Sequence, residues 1–218
     1  MNARHPKIPQ SGIVLVDKPV GISSFGVISQ LRRATGVRRI GHAGTLDPMA
    51  SGLLICLIGR EYTRQADAYL KLDKVYEVEI AFGANSDTGD LEGKLTPVSD
   101  RVPTLAEIKE ALQQFQGEIM QTPPQYSAIK VAGRRAYDLA RKGETVELKA
   151  RPVTIYSIDQ IKYDYPKLSF VTKVSSGTYI RSLGEDIGGV LGTGAYITQL
   201  RRTQIGEHNI SKAIILTP

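Results

Sequence analysis

The run GLLICLIG, Gly52 to Gly59, is apolar throughout and bounded by glycine at each end. It has no polar face to turn toward water and is short, so it reads as a buried strand that any fold of this chain has to keep covered. Ahead of it, GIVLVDKP is a second β-rich run closed by Lys18-Pro19, after which Ser23 or Ser24 can cap a helix carrying Val27, Ile28 and Leu31 and ending near Gly36. A helix with Ala66, Tyr69 and Leu70 is expected next. KVYEVEIAFG alternates, with Tyr76, Val78, Ile80 and Phe82 on one side and Glu77 and Glu79 on the other.

Residues 83–103 have loop chemistry, rich in Gly, Asp, Ser and Pro. Thr104 then caps a helix through Ile108, Ala111, Leu112 and Phe115. Gly133 to Lys142 is a short, very basic helical candidate. Strands are predicted near Val153–Ile161 and Leu168–Val174, a helix over about Tyr179–Leu191 with Ile180, Leu183, Ile187 and Val190 on one face, and a last strand near Ala195–Ile205. The strands are not spaced as regular βαβ units, so the expected class is α+β, a mixed, mostly antiparallel sheet flanked by helices. A chain of 218 residues fits one domain or two small ones, and a single domain over 1–218 is the expectation.

Composition removes several chemistries. Cys56 is the only cysteine, so neither an internal disulfide nor a cysteine-built zinc site is expected, and the residue reads as core. His5, His42 and His208 are far apart in sequence, with no pair at helical ligand spacing; no metal is expected. No phosphate loop or serine nucleophile elbow occurs. GGVLGTG (Gly188–Gly194) ends a helix instead of following a strand, which argues against a dinucleotide site, and NSDTGD fails the glycine and terminal-glutamate spacing of a calcium loop. No signal-like segment or stretch of about 18 apolar residues appears, which suggests a cytoplasmic protein with no membrane attachment. Lys and Arg number 28 against 22 Asp and Glu, a net charge of +6 that favours polyanions.

One acid stands apart. In GHAGTLDPMASGLL, Gly41 to Leu54, Asp47 is the single carboxylate among small residues and a proline. Taken alone, Asp47-Pro48 reads as an Asx turn or helix N-cap. Together with LVDKPVGISS, KVYEVEIAFGANSDTGD, PPQYSAIKVAGRRAYDLARKG, RPVTIY and SSGTYIRSLGEDIG, in that order along the chain, the segment resembles the TruB-type tRNA pseudouridine synthases over about Gly12 to Gly206. Ala43 departs from the family's frequent threonine.

The resemblance implies a pseudouridine synthase fold with a thumb inserted at about 120–150, and isomerisation of uridine 55 in the tRNA T loop without cofactor. It implies a catalytic set of Asp47 as the carboxylate, Tyr76 as the tyrosine that stacks on the target base and is a candidate for taking the C5 proton, and Arg181 as the arginine that pairs with the carboxylate. For substrate binding it implies His42, entering the gap left by the flipped base; Leu200, lining the uracil pocket; Lys18, Gly44 and Tyr179; and the basic residues Lys130, Arg134, Arg135 and Arg141 of the thumb. Arg32, Arg33, Arg38 and Arg39 form a second basic cluster. On residue type alone, Tyr76 and Leu200 also read as core, His42 as a turn or core residue, and each arginine as a solvated surface group. Whether the carboxylate attacks C1′, attacks the base or starts elimination to a glycal stays open. The chain stops at Pro218, so no C-terminal PUA domain is expected, and with it the guide-RNA-dependent type is disfavoured. The expected partner is tRNA through its T arm, for a monomer with no protein partner. A competing class is an RNA-binding folding helper in which catalysis is secondary.

Overall fold

The computed structural model describes residues 8–127, 130–131, 134–135, 139 and 147–216. The chain divides into two units, Met1–Glu77 with Gln199–Pro218, and Val78–Thr198.

In the first unit, β1 (Gly12–Lys18), β3 (Ser51–Ile58) and β12 (Ala195–Ile205) lie in the order β1-β3-β12, with β2 (Ile40–Ala43) also on β3 and β13 (His208–Asn209) on β12. β1 and β2 run antiparallel to β3 while β12 is parallel to it, so the sheet is mixed. The apolar run is β3, and both its faces are covered, as its composition requires. Leu54, Cys56 and Ile58 pack with Val14, Val16, Val27, Ile28 and Leu31; Leu53, Ile55 and Leu57 pack with Ala43 and Ile205. Burial pushes the Cys56 thiol up to about 12, consistent with an inert core residue.

Helix α1 (Ser24–Thr35) starts where a cap was expected: Ser23 is the N-cap, its hydroxyl accepting from Gly26 N at 3.0 Å, and Gly36 closes the end. Its apolar stripe Val27, Ile28 and Leu31 is what the β3 core covers. Two short helices follow β3, α2 (Arg60–Thr63) and α3 (Ala66–Leu70).

The second unit orders its strands as β4 (Lys74–Phe82), β11 (Lys167–Val174), β10 (Arg151–Asp164) and β7 (Gly117–Gln121); β10 is antiparallel to both its neighbours. Strand β4 begins in the first unit, and β12 in the second. The loop-like stretch after β4 contains a small hairpin, β5 (Ala84–Ser86) with β6 (Leu95–Pro97). Helix α4 (Leu105–Gln113) starts in a capping box between Thr104 and Glu107, ends short of Phe115, and packs against α5 (Ile180–Leu191).

Two sequence expectations need correction. Val190 is 50% exposed; the buried stripe of α5 runs through Ile180, Leu183, Gly184, Ile187, Gly188 and Leu191, which leaves Val190 about a quarter turn off its centre. Within the helical candidate 133–142, Arg134–Arg135 instead forms β9, paired with β8 (Lys130–Val131), so cross-strand backbone pairing prevails over the local helical pattern there. Most of that candidate, including Gly133, Arg141 and Lys142, lies outside the described residues. Among the described residues no helix is long and apolar enough to cross a membrane.

The tightest point is Gly52, with φ +108°, where a Cβ would stand 2.2 Å from the Arg202 carbonyl oxygen. Gly52→Ala is therefore expected to part β3 from β12 and to cost well over the ~1 kcal/mol of an average substitution. Leu31→Ala, a cavity in the same core, should cost about 2–5 kcal/mol. Urea denaturation of both variants checks the order.

Candidate active site

Asp47 is half-buried on the loop between β2 and β3, and the main chain around it is tethered on several sides. Ser24, at the start of α1, donates from Oγ to Leu46 O at 3.0 Å and accepts from Leu46 N at 2.8 Å, so both main-chain groups of the preceding residue are held. Pro48 O on the other side accepts from Gly21 N at 2.8 Å and from Lys18 Nζ at 3.4 Å. Ala50 N donates to Asp47 O at 3.1 Å, closing a turn over the proline.

Lys18 is 0% exposed, and its ammonium also donates to Pro19 O at 2.9 Å and Ile22 O at 2.7 Å. The expected substrate-binding lysine thus sits among main-chain carbonyls and joins the 19–22 turn to the Asp47 loop. Gly44, at φ +85°, accepts at its carbonyl from Arg202 Nη2 at 2.9 Å. Sequence reasoning passed over Arg202; a second arginine after Leu200 carries no signal that it is buried.

The other first-unit candidates occupy regular strands. Tyr76 is 8% exposed on β4, and Leu200 is equally buried on β12, one residue before the point where Arg201 registers with Ser51 of β3. His42 lies on β2 opposite Cys56, and its buried Nδ1 has no hydrogen-bond partner among the described residues. Burial, and after it the Arg202 charge, hold the imidazole below the usual 6.5. In the basic cluster, Arg32 lies over the Phe25 ring at 5.4 Å and donates to Ile40 O, whereas Arg33, Arg38 and Arg39 are exposed.

In the second unit Arg181 occupies the first turn of α5 and is buried. Its guanidinium donates to Thr88 O and Tyr126 O, each at 2.7 Å, and stands 3.8 Å from the Asp90 carboxylate. Asp90 is itself set by Thr88 Oγ1 at 2.6 Å and Glu92 N at 3.0 Å. The NSDTGD loop is therefore the seat of this arginine. Tyr179 is the N-cap of α5; its main-chain N–H donates to Gln121 Oε1 at 2.7 Å and its carbonyl accepts from Gln121 Nε2 at 3.0 Å. Gln121, buried at the end of β7, was likewise silent in the sequence. Lys130, Arg134 and Arg135 lie on the β8–β9 ribbon, with Lys130 opposite Arg135, and Arg141 falls outside the described residues. Among the described residues no group of His, Cys, Asp and Glu is placed to hold a metal ion.

Comparison with known proteins bears on these residues. The profile of the TruB family pseudouridylate synthase N-terminal domain matches residues 32–180, and that of the tRNA pseudouridylate synthase B C-terminal domain matches 181–217. The chain is 47% identical to the tRNA pseudouridine synthase B of Chlamydia muridarum over 94% of its own length and 85% of the relative's. It is 43% identical to the protein of the same name from Aquifex aeolicus, over 94% and 72%. Among solved structures, a Cbf5-Nop10-Gar1 complex matches with TM-score 0.72 at 30% identity, over 95% of this chain and 53% of that one. An H/ACA RNP bound to a substrate RNA containing 2′-deoxyuridine matches with TM-score 0.69 at 28% identity, over 94% and 51%. This chain thus spans about half the length of those two. The likeness extends to the α+β, mixed-sheet pseudouridine synthase fold, and with most of its length matched by the family profiles, the chain belongs to the TruB family of pseudouridylate synthases.

Proposed function

We propose that this protein converts uridine 55 in the T loop of tRNA to pseudouridine, acting as a monomer in the cytoplasm, without cofactor, and with Asp47 as the catalytic carboxylate. The observation that carries the reading is the mounting of Asp47: a half-buried acid on a loop whose neighbouring main-chain groups are held by Ser24, Lys18 and Arg202. A surface turn has no need of such tethers; a reacting group does. A relative at 47% identity, matched over 85% of its length, bears the name of a tRNA enzyme, which supports tRNA as the substrate.

The reaction breaks the N1–C1′ bond of uridine, turns the uracil and joins C5 to C1′. The proton that leaves C5 is balanced by one taken up at N1. Asp47 supplies the carboxylate that attacks the sugar or the base, or that opens elimination to a glycal. Arg181 is its partner: a planar fork steadied by the Thr88 and Tyr126 carbonyls has the fixed direction that pairing with a carboxylate needs. Tyr76 stacks on the uracil and Leu200 lines its pocket.

The uridine has to leave the T-loop stack, at a cost of about a few kcal/mol, and His42 fills the gap it leaves. A neutral imidazole suits insertion among bases, since a ring held below 6.5 carries no charge there at physiological pH. Gly44 and Lys18 shape the loop that carries Asp47, and Tyr179 is assigned to substrate binding by the family resemblance. Exposed Arg33, Arg38 and Arg39, with Arg32 beside them and Lys130, Arg134, Arg135 and Arg141 of the thumb, grip phosphates, so affinity falls steeply with salt.

Purified protein mixed with unmodified tRNA transcript and a chelator should form one pseudouridine, mapped to position 55. Asp47→Asn should lower the rate on the order of 10⁴-fold or more, with the dissociation constant for the transcript changed by less than about threefold. An Asn variant that keeps its rate, or modification at another position only, removes this reading. In a separate test, the His42 ring followed by NMR should titrate below 6.5. As pH falls from about 6.5 toward 5, the unfolded chain takes up a proton that the folded ring refuses. Wild type should therefore lose more stability than His42→Gln over that window, measured by thermal melting.

A further inference from the structure

Arg202 is 1% exposed, and no ion pair among the described residues involves it. Its neighbour Arg201 behaves differently, holding the Asp17 carboxylate at 2.7 and 3.1 Å. A guanidinium taken out of water is costly unless its protons find acceptors. For Arg202 the acceptors are two main-chain carbonyls at 2.9 Å each, Leu53 O from Nε and Gly44 O from Nη2. Those carbonyls lie on either side of Asp47 in the chain, Gly44 just before the turn and Leu53 within β3 after it. One rigid fork therefore spans the base of the loop that presents the carboxylate.

Two glycines, Gly44 in the loop and Gly52 at the start of β3, make room for Arg202, the first for its side chain and the second for its main chain. A Cβ at Gly44 would come within 3.3 Å of Arg202 Nη1, and one at Gly52 within 2.2 Å of Arg202 O. Strand register places Lys18 and Arg202 on either side of Gly52, one on β1 and the other on β12, so both buried cations stand in one row across the sheet. Lys18 reaches Pro48 O and Arg202 reaches Gly44 O, which brackets Leu46 and Asp47 between them. A lysine at position 202, with a single nitrogen, could not reproduce a fork that donates from Nε and Nη2 to separate carbonyls.

We propose that Arg202 is a positioning residue for the isomerisation, fixing the reach of Asp47 by clamping Gly44 to Leu53. This rests on the reading of Asp47 as the catalytic carboxylate. The effect should appear in the chemical step more than in RNA affinity, because the hydrogen bonds of the guanidinium among the described residues go to main-chain carbonyls, Gly44 O and Leu53 O.

The test compares Arg202→Met and Arg202→Lys with wild type on a T-arm stem-loop RNA, at a temperature where near-UV circular dichroism shows each folded. The Met variant should lose on the order of 10²-fold in single-turnover rate at saturating enzyme, with a dissociation constant within about threefold of wild type, and the Lys variant should recover part of that rate. Amide hydrogen exchange should quicken at Leu46 and Ala50 while the β1–β3 amides stay protected, a local loosening that a general loss of stability does not produce. A folded Met variant with a rate within about threefold of wild type overturns the proposal. So does a loss of rate matched by an equal loss of affinity, exchange that quickens evenly across the sheet, or the failure of both variants to fold. If Asp47→Asn is itself active, the underlying reading has failed instead, a result separate from any of these.

Discussion

Two cations buried in one row of the first unit's sheet determine where the Asp47 loop can be. Lys18 and Arg202 have almost no contact with water, and their protons go to carbonyls of the 19–22 turn, of Gly44 and Pro48, and of Leu53. A buried charged donor left without its acceptor costs more than the about 1–3 kcal/mol of a neutral one, so opening the loop is costly. The glycine between the cations serves the same end. Gly52 lets β12 come close beside β3, and that approach carries Arg202 to its seat beneath Gly44.

The second unit solves a similar problem by other means. Arg181 is drawn in by carbonyls from the hairpin loop and from Tyr126, with the Asp90 carboxylate at 3.8 Å adding charge compensation. The start of α5 carries this arginine, and Gln121 holds the main chain of Tyr179 immediately before it, so the helix cannot slide or rotate without breaking a buried amide pair. In both units the residues of the proposed chemistry stand on regular elements or on loops locked to them, and carbonyls are the commonest locks. That economy suits RNA chemistry, where side-chain charge is wanted at the surface for phosphate.

Much of the fold was legible because its signals are local. The apolar run reads as a covered strand, a cap at Ser23 or Ser24 and one at Thr104 start helices, and alternation placed Tyr76 on the buried side of β4. β2 and β7 escaped because Ile40–Ala43 and Gly117–Gln121 show neither alternation nor a turn signal; they are strands because β3 and β10 offer them partners. Val190 was misassigned because a helix stripe read from spacing is wider than the stripe that packing finally buries. Among the candidate residues of each unit, Asp47 and Arg181 stood out by motif, whereas Arg202, Gln121 and Asp90 did not. An arginine in RRT, a glutamine in IMQ or an aspartate in a turn-rich loop looks the same in sequence whether it is buried or solvated.

The sequence by itself determined the class of fold and most of the elements, and it singled out Asp47 as the candidate carboxylate. These follow from hydrophobic period, capping and motif order, which are properties of neighbours along the chain. Tertiary structure alone decided which cations are buried, which carbonyls receive them, and so how firmly the loop of Asp47 is held. Those facts depend on the register of β1, β3 and β12, which brings together residues as far apart as Lys18, Gly52 and Arg202, and no local pattern encodes a register between distant strands.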